Sequence, residues 1–178
     1  MKFNLTFLLF ITGSVIYGQS VDYKLSMPKP QNHYFHVEME LKDFNEKEID
    51  ISLPVWAPGS YLVREFSKNI NLVKAFDENG NPLAIKKKRK NSWTINKAKH
   101  KKVIVKYEVY AFELSVRTSF LDLTHGYVSG SGVFMFVENH LDASGLLSVI
   151  PYESFSTIST ALPKGKDQFT YSYSDYDH

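Results

Sequence analysis

Apolar residues recur at every second position along most of this chain, and this spacing constrains the fold more than any other feature. One face of residues 33–41 carries four apolar side chains, Phe35, Val37, Met39 and Leu41. The same period returns in residues 49–55 and, most regularly, in residues 103–111. No segment keeps the apolar spacing of an amphipathic helix over eleven residues. The chain is therefore predicted to be all-β.

Turn signals separate the alternating segments. The clearest is residues 77–82, Asp-Glu-Asn-Gly-Asn-Pro, because Asn-Gly tolerates a positive φ. Further strands are predicted in residues 70–75, 93–95, 133–137 and 148–162, with a glycine-containing loop in residues 121–132. We predict a single antiparallel β-sandwich of about eight to ten strands in residues 19–170. Residues 171–178, polar and aromatic, are predicted to begin a linker.

The first 18 residues have the pattern of a secretory signal peptide. Lys2 precedes an apolar stretch, and Gly18 is a small residue suited to cleavage before Gln19. The apolar stretch is shorter than the roughly 20 residues that span a bilayer, although a retained N-terminal anchor is the alternative. We expect an exported protein, periplasmic or extracellular, without a stable membrane span. Residues 19–178 are enough for one domain with a real core.

Composition and charge exclude several kinds of site. The chain has no cysteine, so it can form neither disulfides nor a thiolate metal site, and it has no thiol nucleophile. Its net charge of +2 gives no overall field that favours nucleic acid, and no nucleic-acid partner is expected. Residues 86–90, Lys-Lys-Lys-Arg-Lys, form the one charge run. We interpret it as a solvated edge strand rather than a surface for an anionic polymer.

Residues 53–67 have the most unusual local sequence, Leu-Pro-Val-Trp-Ala-Pro-Gly-Ser-Tyr-Leu-Val-Arg-Glu-Phe-Ser. Pro54 and Pro58 lack backbone donors, so this segment cannot be a central strand. Pro58 and Gly59 together are a turn signal. The segment is expected to be a rigid corner that caps the sandwich, and the alternative is a corner that faces the cleft of a following domain.

Two side chains of this corner are expected to make specific contacts. Trp56 is large and amphipathic, and its indole N–H needs an acceptor when it is buried. Arg64 stands beside Glu65, and the two are expected to pair across the turn.

The same residues resemble the Leu-Pro-x-Trp-x-Pro-Gly-Ser-Tyr-x-x-Arg-Glu-Phe signature of the glycyl aminopeptidases, the sixty-first family of zinc metallopeptidases. Later segments resemble that family in the same order: Trp93, residues 105–111, residues 114–117, residues 160–163 and residues 175–177. The resemblance implies the non-catalytic N-terminal domain of such an enzyme, a fragment without the zinc domain and the PDZ-like domain. The candidate interface or substrate-facing residues are Trp56, Pro58, Gly59, Tyr61, Arg64 and Glu65.

No catalytic residue, metal ligand or cofactor site is predicted in this chain. Members of the resembled family hold zinc with a His-Glu-x-x-His helix and a downstream glutamate, and this sequence has no such motif. His33 and His36 are three apart, which on a strand sends their side chains to opposite faces. No Gly-x-Ser-x-Gly elbow is present either.

The sequence leaves three functions open. The resemblance implies an accessory domain that packs on a zinc peptidase domain, helps to shape its cleft and takes part in peptide binding. A free-standing exported sandwich that binds peptide or glycan is the second. Its ring platforms would be Tyr23, Tyr34, Tyr110, Tyr152, Tyr171, Tyr173 and Tyr176. A structural envelope protein is the third. One apolar patch near Trp56, Tyr61 and the C-terminus would favour the first.

Overall fold

The structure is a computed structural model that describes residues 18–177. The predicted signal peptide, apart from Gly18, lies outside these residues. The described part contains thirteen strands, nine of them four residues or longer. The strands are β1 Ser20–Ser26, β2 Tyr34–Lys42, β3 Glu48–Ser52, β4 Ile70–Asp77, β5 Pro82–Leu83, β6 Ile85–Arg89, β7 Ser92–Asn96, β8 Lys102–Tyr110, β9 Phe120–Leu121, β10 Gly126–Tyr127, β11 Phe136–Val137, β12 Gly145–Ile150 and β13 Thr170–Tyr173. Short 3-10 turns occupy Pro30–Asn32, Phe66–Asn69 and Gly130–Gly132.

The strands form a seven-stranded sheet, a four-stranded sheet and a two-stranded ribbon. The large sheet has the order β13-β12-β1-β2-β8-β4-β5, and the small sheet has the order β11-β3-β7-β6. The ribbon pairs β9 with β10. The all-β prediction is confirmed. One detail differs from a purely antiparallel sandwich, because β1 and β12 are parallel.

The core lies between the inner faces of the two sheets, where period two predicted it. Phe35, Val37, Met39 and Leu41 of β2 are at most 1 % exposed. Val103, Val105 and Val109 of β8 are equally buried, as are Ile51 and Ile95 of the small sheet. Burial of apolar side chains at roughly 25 cal/mol per Å² is the main force that holds the sheets together.

The outer face of the large sheet is a network of ion pairs. Glu38 on β2 lies between Lys24 on β1, at 3.6 Å, and Lys106 on β8, at 3.5 Å. Glu40, two residues along β2, lies between Lys42 at 2.9 Å and Lys102 at 2.6 Å. Burial opposes ionisation of Glu40, but the hydrogen bonds from these two lysines outweigh it and lower the pKa of that carboxyl. This face is therefore polar and internally paired, and it suits contact with water.

The small sheet also has a polar outer face. Asp50 of β3 accepts from Lys88 at 2.5 Å and from Thr94 of β7. At the end of the same strands, Glu138 accepts from Arg89 and from Ser52.

The basic run of residues 86–90 lies on β6, the edge of the small sheet, as predicted. Lys87 adds a cation–π contact to Trp93, with Nζ 4.9 Å from the ring centroid. Lys88, Arg89 and Lys90 all form ion pairs within the domain. Most residues of the run therefore bind to other residues of the domain, and their charges discourage another strand from pairing with this edge.

The predicted strand in residues 133–137 is wrong for its first three residues, because tyrosine side chains replace its ladder partners. The Tyr107 hydroxyl donates to the Val133 carbonyl at 2.9 Å and accepts from the Met135 amide at 3.1 Å. Tyr23 donates to the Met135 carbonyl and Tyr176 to the Phe134 carbonyl. The amides of residues 133 and 134 bond to the Gly130 carbonyl. All backbone polar groups of these residues are thus paired without a strand, as burial requires. We call this arrangement the tyrosine clamp.

The assignment of residues 171–178 to a linker is also wrong for its first part. β13 pairs antiparallel with β12 from Ser148↔Thr170 to Gly145↔Tyr173, and Tyr171 is only 5 % exposed. Beyond the strand, the Tyr176 amide donates to the Leu141 carbonyl at 2.8 Å. Tyr171, Tyr173 and Tyr176 therefore belong to the domain. Similarly, the strand predicted for residues 148–162 ends at Ile150.

The clamp predicts a large cost for removing one hydroxyl. Tyr107→Phe leaves a buried carbonyl and a buried amide unpaired, so the free energy of unfolding should fall by about 2 kcal/mol in urea denaturation. Tyr34→Phe is the matched control, because the Tyr34 hydroxyl makes only an exposed 3.4 Å contact with Asn71. Equal stability of the two variants would contradict the clamp.

The clamp also predicts weakening at alkaline pH. Burial raises the pKa of Tyr23 and of Tyr107, whereas a tyrosine in the unfolded chain ionises near pH 10. Above about pH 10 the unfolded chain releases protons that the folded protein keeps, so stability falls as pH rises. Urea denaturation at pH 8 and pH 11 should show this loss, and Tyr107→Phe should make it smaller by about 1 kcal/mol. An unchanged pH dependence in that variant would contradict the assignment.

Candidate functional site

Two long connections meet at the same end of the large sheet. Ile70, the first residue of β4, pairs with Val109 near the end of β8. The connection from β3 to β4 (residues 53–69) therefore ends beside the point where the connection after β8 (residues 111–127) begins. We call the first the corner, the second the aromatic loop, and the surface that they form together the loop end.

The corner is built on the turn that the sequence predicted. The Ser60 amide donates to the Ala57 carbonyl at 3.1 Å across Pro58 and Gly59. Gly59 has φ 78°, which fits the third position of a type II turn with proline before it. A Cβ at Gly59 would meet nothing within 4 Å, so the glycine is needed for its backbone conformation and not for space.

Ser60 organises the side chains around this turn. Its carbonyl accepts the indole N–H of Trp56 at 2.6 Å, and its hydroxyl accepts Arg64 Nε at 3.1 Å. The Arg64 amide closes the corner with a 2.6 Å bond to the Val55 carbonyl. Ser60 itself is 8 % exposed, so the centre of the corner is packed although it contains no regular strand.

The expected Arg64–Glu65 pair is wrong. Arg64 turns back to Ser60, while Glu65 Oε1 accepts from Lys90 at 3.1 Å. Consecutive side chains in an extended segment point to opposite sides, and here each finds a different partner.

The tip of the corner does not bury its aromatic residues, in contrast to the expected cap. Trp56 is 52 % exposed, Tyr61 is fully exposed, and Val63 is 76 % exposed. Pro58 and Gly59 are also exposed. Leu53 at its base and Phe66, at the start of the following 3-10 turn, reach the core, and Phe66 lies against Gly132. The tip of the corner is thus a rigid support for solvent-exposed apolar side chains.

The aromatic loop is held by a stack of rings. His33 stacks on Phe112 with centroids 3.7 Å apart, Phe112 on Phe120 at 5.3 Å, and Phe120 on His125 at 5.1 Å. The His33 ring is fixed by a 2.6 Å contact from Nδ1 to the Leu121 carbonyl. His33 precedes β2 with φ 61°, so it is not the strand residue that the sequence suggested. His36 is within β2 and lies 3.6 Å from Glu108.

The tip of the aromatic loop projects two more apolar side chains. Leu114 is 81 % exposed and Val116 is 84 % exposed. At the base of the loop, hydrogen bonds from the Thr124 side chain and backbone and from the His125 amide lower the pKa of Asp122 to about 2. Asp122 is therefore a fixed turn acceptor rather than a proton carrier.

Exposed apolar side chains concentrate at the loop end. Of the fifteen large apolar residues that are exposed in the described part of the chain, eleven belong to the two connections or to Tyr110 at their base. Isolated exposed apolar residues are normal on any protein, but a cluster of this size marks a contact surface. Sequence reasoning identified the corner and missed the aromatic loop as a site. The available signal was the number of apolar residues that continue after β8, among them Leu114, Val116 and Leu123.

The tyrosines considered as binding platforms lie mostly elsewhere. Tyr23 and Tyr171 are buried, and Tyr34, Tyr152, Tyr173 and Tyr176 are partly buried. Only Tyr110 is exposed, at 39 %. The prediction that these tyrosines form the ring platforms of a binding surface is therefore wrong.

The C-terminal residues lie at the opposite end of the sheet from the corner. β13 runs from the level of Ser148 to that of Gly145, and Gly145 begins β12 beside the start of β1. The strand register puts Tyr173 level with Val103 of β8, whereas Ile70 is level with Val109, so the two levels are about 20 Å apart at ~3.3 Å per residue. The single patch joining Trp56, Tyr61 and the C-terminus is thus not formed. The apolar surface unites the corner with the aromatic loop instead.

The described residues contain no metal-binding cluster and no membrane helix. No group of three or more His, Cys, Asp or Glu residues converges within residues 18–177. In the same range, no helix is long and apolar enough to cross a bilayer.

Comparison with known proteins adds an independent line of observation. Residues 22–178 match the family model of the Peptidase M61 N-terminal domain. A solved structure with the same fold is that of an aminopeptidase N family protein from Idiomarina loihiensis, with a TM-score of 0.81 and 31 % sequence identity. The match covers 88 % of this chain and 27 % of the Idiomarina loihiensis chain. No curated protein matches the chain significantly.

The corner geometry predicts the effect of one glycine substitution. Gly59→Ala forces a positive φ on a residue with Cβ, which should lower the free energy of unfolding by about 1 kcal/mol. The strained turn should also weaken the hydrogen bond from the Trp56 indole to the Ser60 carbonyl. Iodide quenching in a Trp93→Phe background, where Trp56 is the remaining tryptophan, should therefore increase. Gly80→Ala is the control, because Gly80 has φ 83° but lies in the β4–β5 turn. Identical quenching in both variants would contradict the role of Gly59.

Proposed function

Because the chain belongs to the family of Peptidase M61 N-terminal domains, we propose that it is the non-catalytic N-terminal domain of an exported zinc aminopeptidase. In this role the loop end packs against the catalytic domain and forms part of the wall of the substrate cleft. The observation that carries the proposal is the concentration of exposed apolar side chains on two rigid connections at one end of the fold.

The distribution of polarity over the surface supports the loop end as the docking surface. Both outer sheet faces carry ion pairs that are complete within the domain. Docking there would remove these pairs from water with little apolar gain. At the loop end, in contrast, each large side chain that becomes buried contributes about 1.5–3 kcal/mol.

The position of the C-terminal residues sets a requirement for the partner. A domain that follows β13 starts about 20 Å from the loop end along the strand direction, so it must extend along the sandwich to cover that end. The chain spans 27 % of the Idiomarina loihiensis protein, which leaves most of that protein outside the match. A partner of that size can reach the loop end, whereas a short tail cannot.

Export is part of the same proposal. Residues 1–18 have the order of a signal peptide, and a domain without cysteine is insensitive to an oxidising compartment. Zinc, in this proposal, is held by the catalytic domain.

The docking proposal is tested with a chimera. This chain replaces the matched segment of the Idiomarina loihiensis protein, and the product is assayed with a glycyl fluorogenic substrate. Val63→Ser and Leu114→Ser change one residue on each connection, and each removes an apolar contact that docking would bury. Each should lower the melting temperature of the chimera or reduce its turnover severalfold.

Leu146→Ser is the matched control, because Leu146 is 43 % exposed on β12 at the opposite end. The chain alone, supplied with zinc, is expected to show no metal-dependent turnover. Unaltered stability and turnover in both loop-end variants, or turnover by the chain alone, would overturn the proposal.

A further inference from the structure

Arg64 is held in a fixed position with part of its guanidinium unused. Its Nε donates to the Ser60 hydroxyl at 3.1 Å, and its backbone amide is fixed to Val55. The two terminal nitrogens of the guanidinium have no hydrogen bond or ion pair with any residue from 18 to 177. A guanidinium oriented through Nε presents its remaining donors as a fork, and a fork matches the two oxygens of a carboxylate.

The other two arginines of the chain are different. Arg89 is bonded to Ser92 and to Glu138, so its guanidinium is satisfied within the domain. Arg117 is exposed on the tip of the aromatic loop, and nothing in the described structure fixes its side chain. Arg64 alone combines a fixed orientation with unused donors, since the neighbouring carboxylate of Glu65 is paired with Lys90.

The surroundings of Arg64 suit an extended peptide. Trp56, which shares the Ser60 anchor, is 52 % exposed, and Tyr61 is fully exposed. Aromatic side chains beside a cationic fork can contact the backbone and apolar parts of a ligand whose carboxylate binds to the fork.

We propose that Arg64 binds the free C-terminal carboxylate of a short peptide, with Trp56 and Tyr61 lying along the peptide. This inference rests on the proposed function and deepens it, because it assigns short peptides with a free carboxylate as the ligands of the corner. An aminopeptidase acts at the other end of the peptide, so a carboxylate subsite at the cleft wall would select for short chains. The Ser60 hydroxyl sets the direction of the fork.

The test measures peptide binding to the chain itself by NMR titration, followed at the Trp56 indole N–H. Triglycine is the probe, and triglycine amide is its matched control, because both carry the same N-terminal amine and only triglycine carries a carboxylate. We expect triglycine to bind with a Kd in the millimolar range, as one exposed bidentate contact allows. Triglycine amide should bind at least tenfold more weakly.

Variants assign the effect to the fork. Arg64→Gln should remove the preference for triglycine over its amide, and Arg64→Lys should retain only part of it, because lysine keeps the charge without the fork. Arg117→Gln should leave the preference unchanged. Thermal unfolding of each variant shows whether the domain is still folded, and Ser60→Ala, which keeps Arg64 but frees its side chain, should weaken the preference severalfold.

Three results would overturn the inference: no shift with triglycine up to high millimolar concentration, equal shifts with triglycine and its amide, or an unchanged preference in a folded Arg64→Gln protein. These outcomes are independent of docking, because the titration uses no catalytic domain. Failure here with a positive chimera would remove the carboxylate subsite and keep the docking surface. The reverse pattern would keep the subsite and remove the docking surface.

Discussion

The tyrosine clamp is the interaction on which the rest of the structure depends. Residues 133–135 lie between the two sheets with two of their side chains fully buried, and their carbonyls have no ladder partner. Hydroxyls from β1, β8 and the C-terminal segment fill that need. Because buried carbonyls must be paired, the clamp fixes the small sheet, the large sheet and the tail relative to one another. It also holds Gly132 in position against Phe66, at the base of the corner.

The distance in sequence between donor and acceptor explains what could be predicted. β2, β7 and β8 followed from period two, since each strand's own side chains determine which face is buried. The clamp joins Tyr23 to Met135, 112 residues apart, and Tyr176 to Phe134, 42 residues apart. An apolar run such as residues 133–137 has the local pattern of a buried strand, whether its backbone groups pair with a neighbouring strand or with tyrosine hydroxyls. The same cause explains why Tyr171 and Tyr173 were assigned to a linker.

The loop end shows a second limit of sequence reasoning. Pro58 and Gly59 determine the turn locally, so its conformation could be predicted. Whether Trp56 is a buried plug or an exposed contact depends on the surface that surrounds it, which local sequence does not encode. The stack from His33 to His125 was missed for a similar reason, because His33 comes from a distant segment and the other three rings are spread over the aromatic loop.

Rigidity and exposure at the loop end have to be considered together. An exposed apolar loop normally gains by folding back onto its own domain, because that hides the loop from water. Here Ser60 fixes Trp56 and Arg64 outward, and the stacked rings prevent collapse of the aromatic loop. Side chains that are already ordered lose little conformational entropy on binding, so more of the burial energy is available for affinity. The internal bonds of the two connections therefore favour a partner over self-burial, and they do so at the end of the fold farthest from the C-terminal residues.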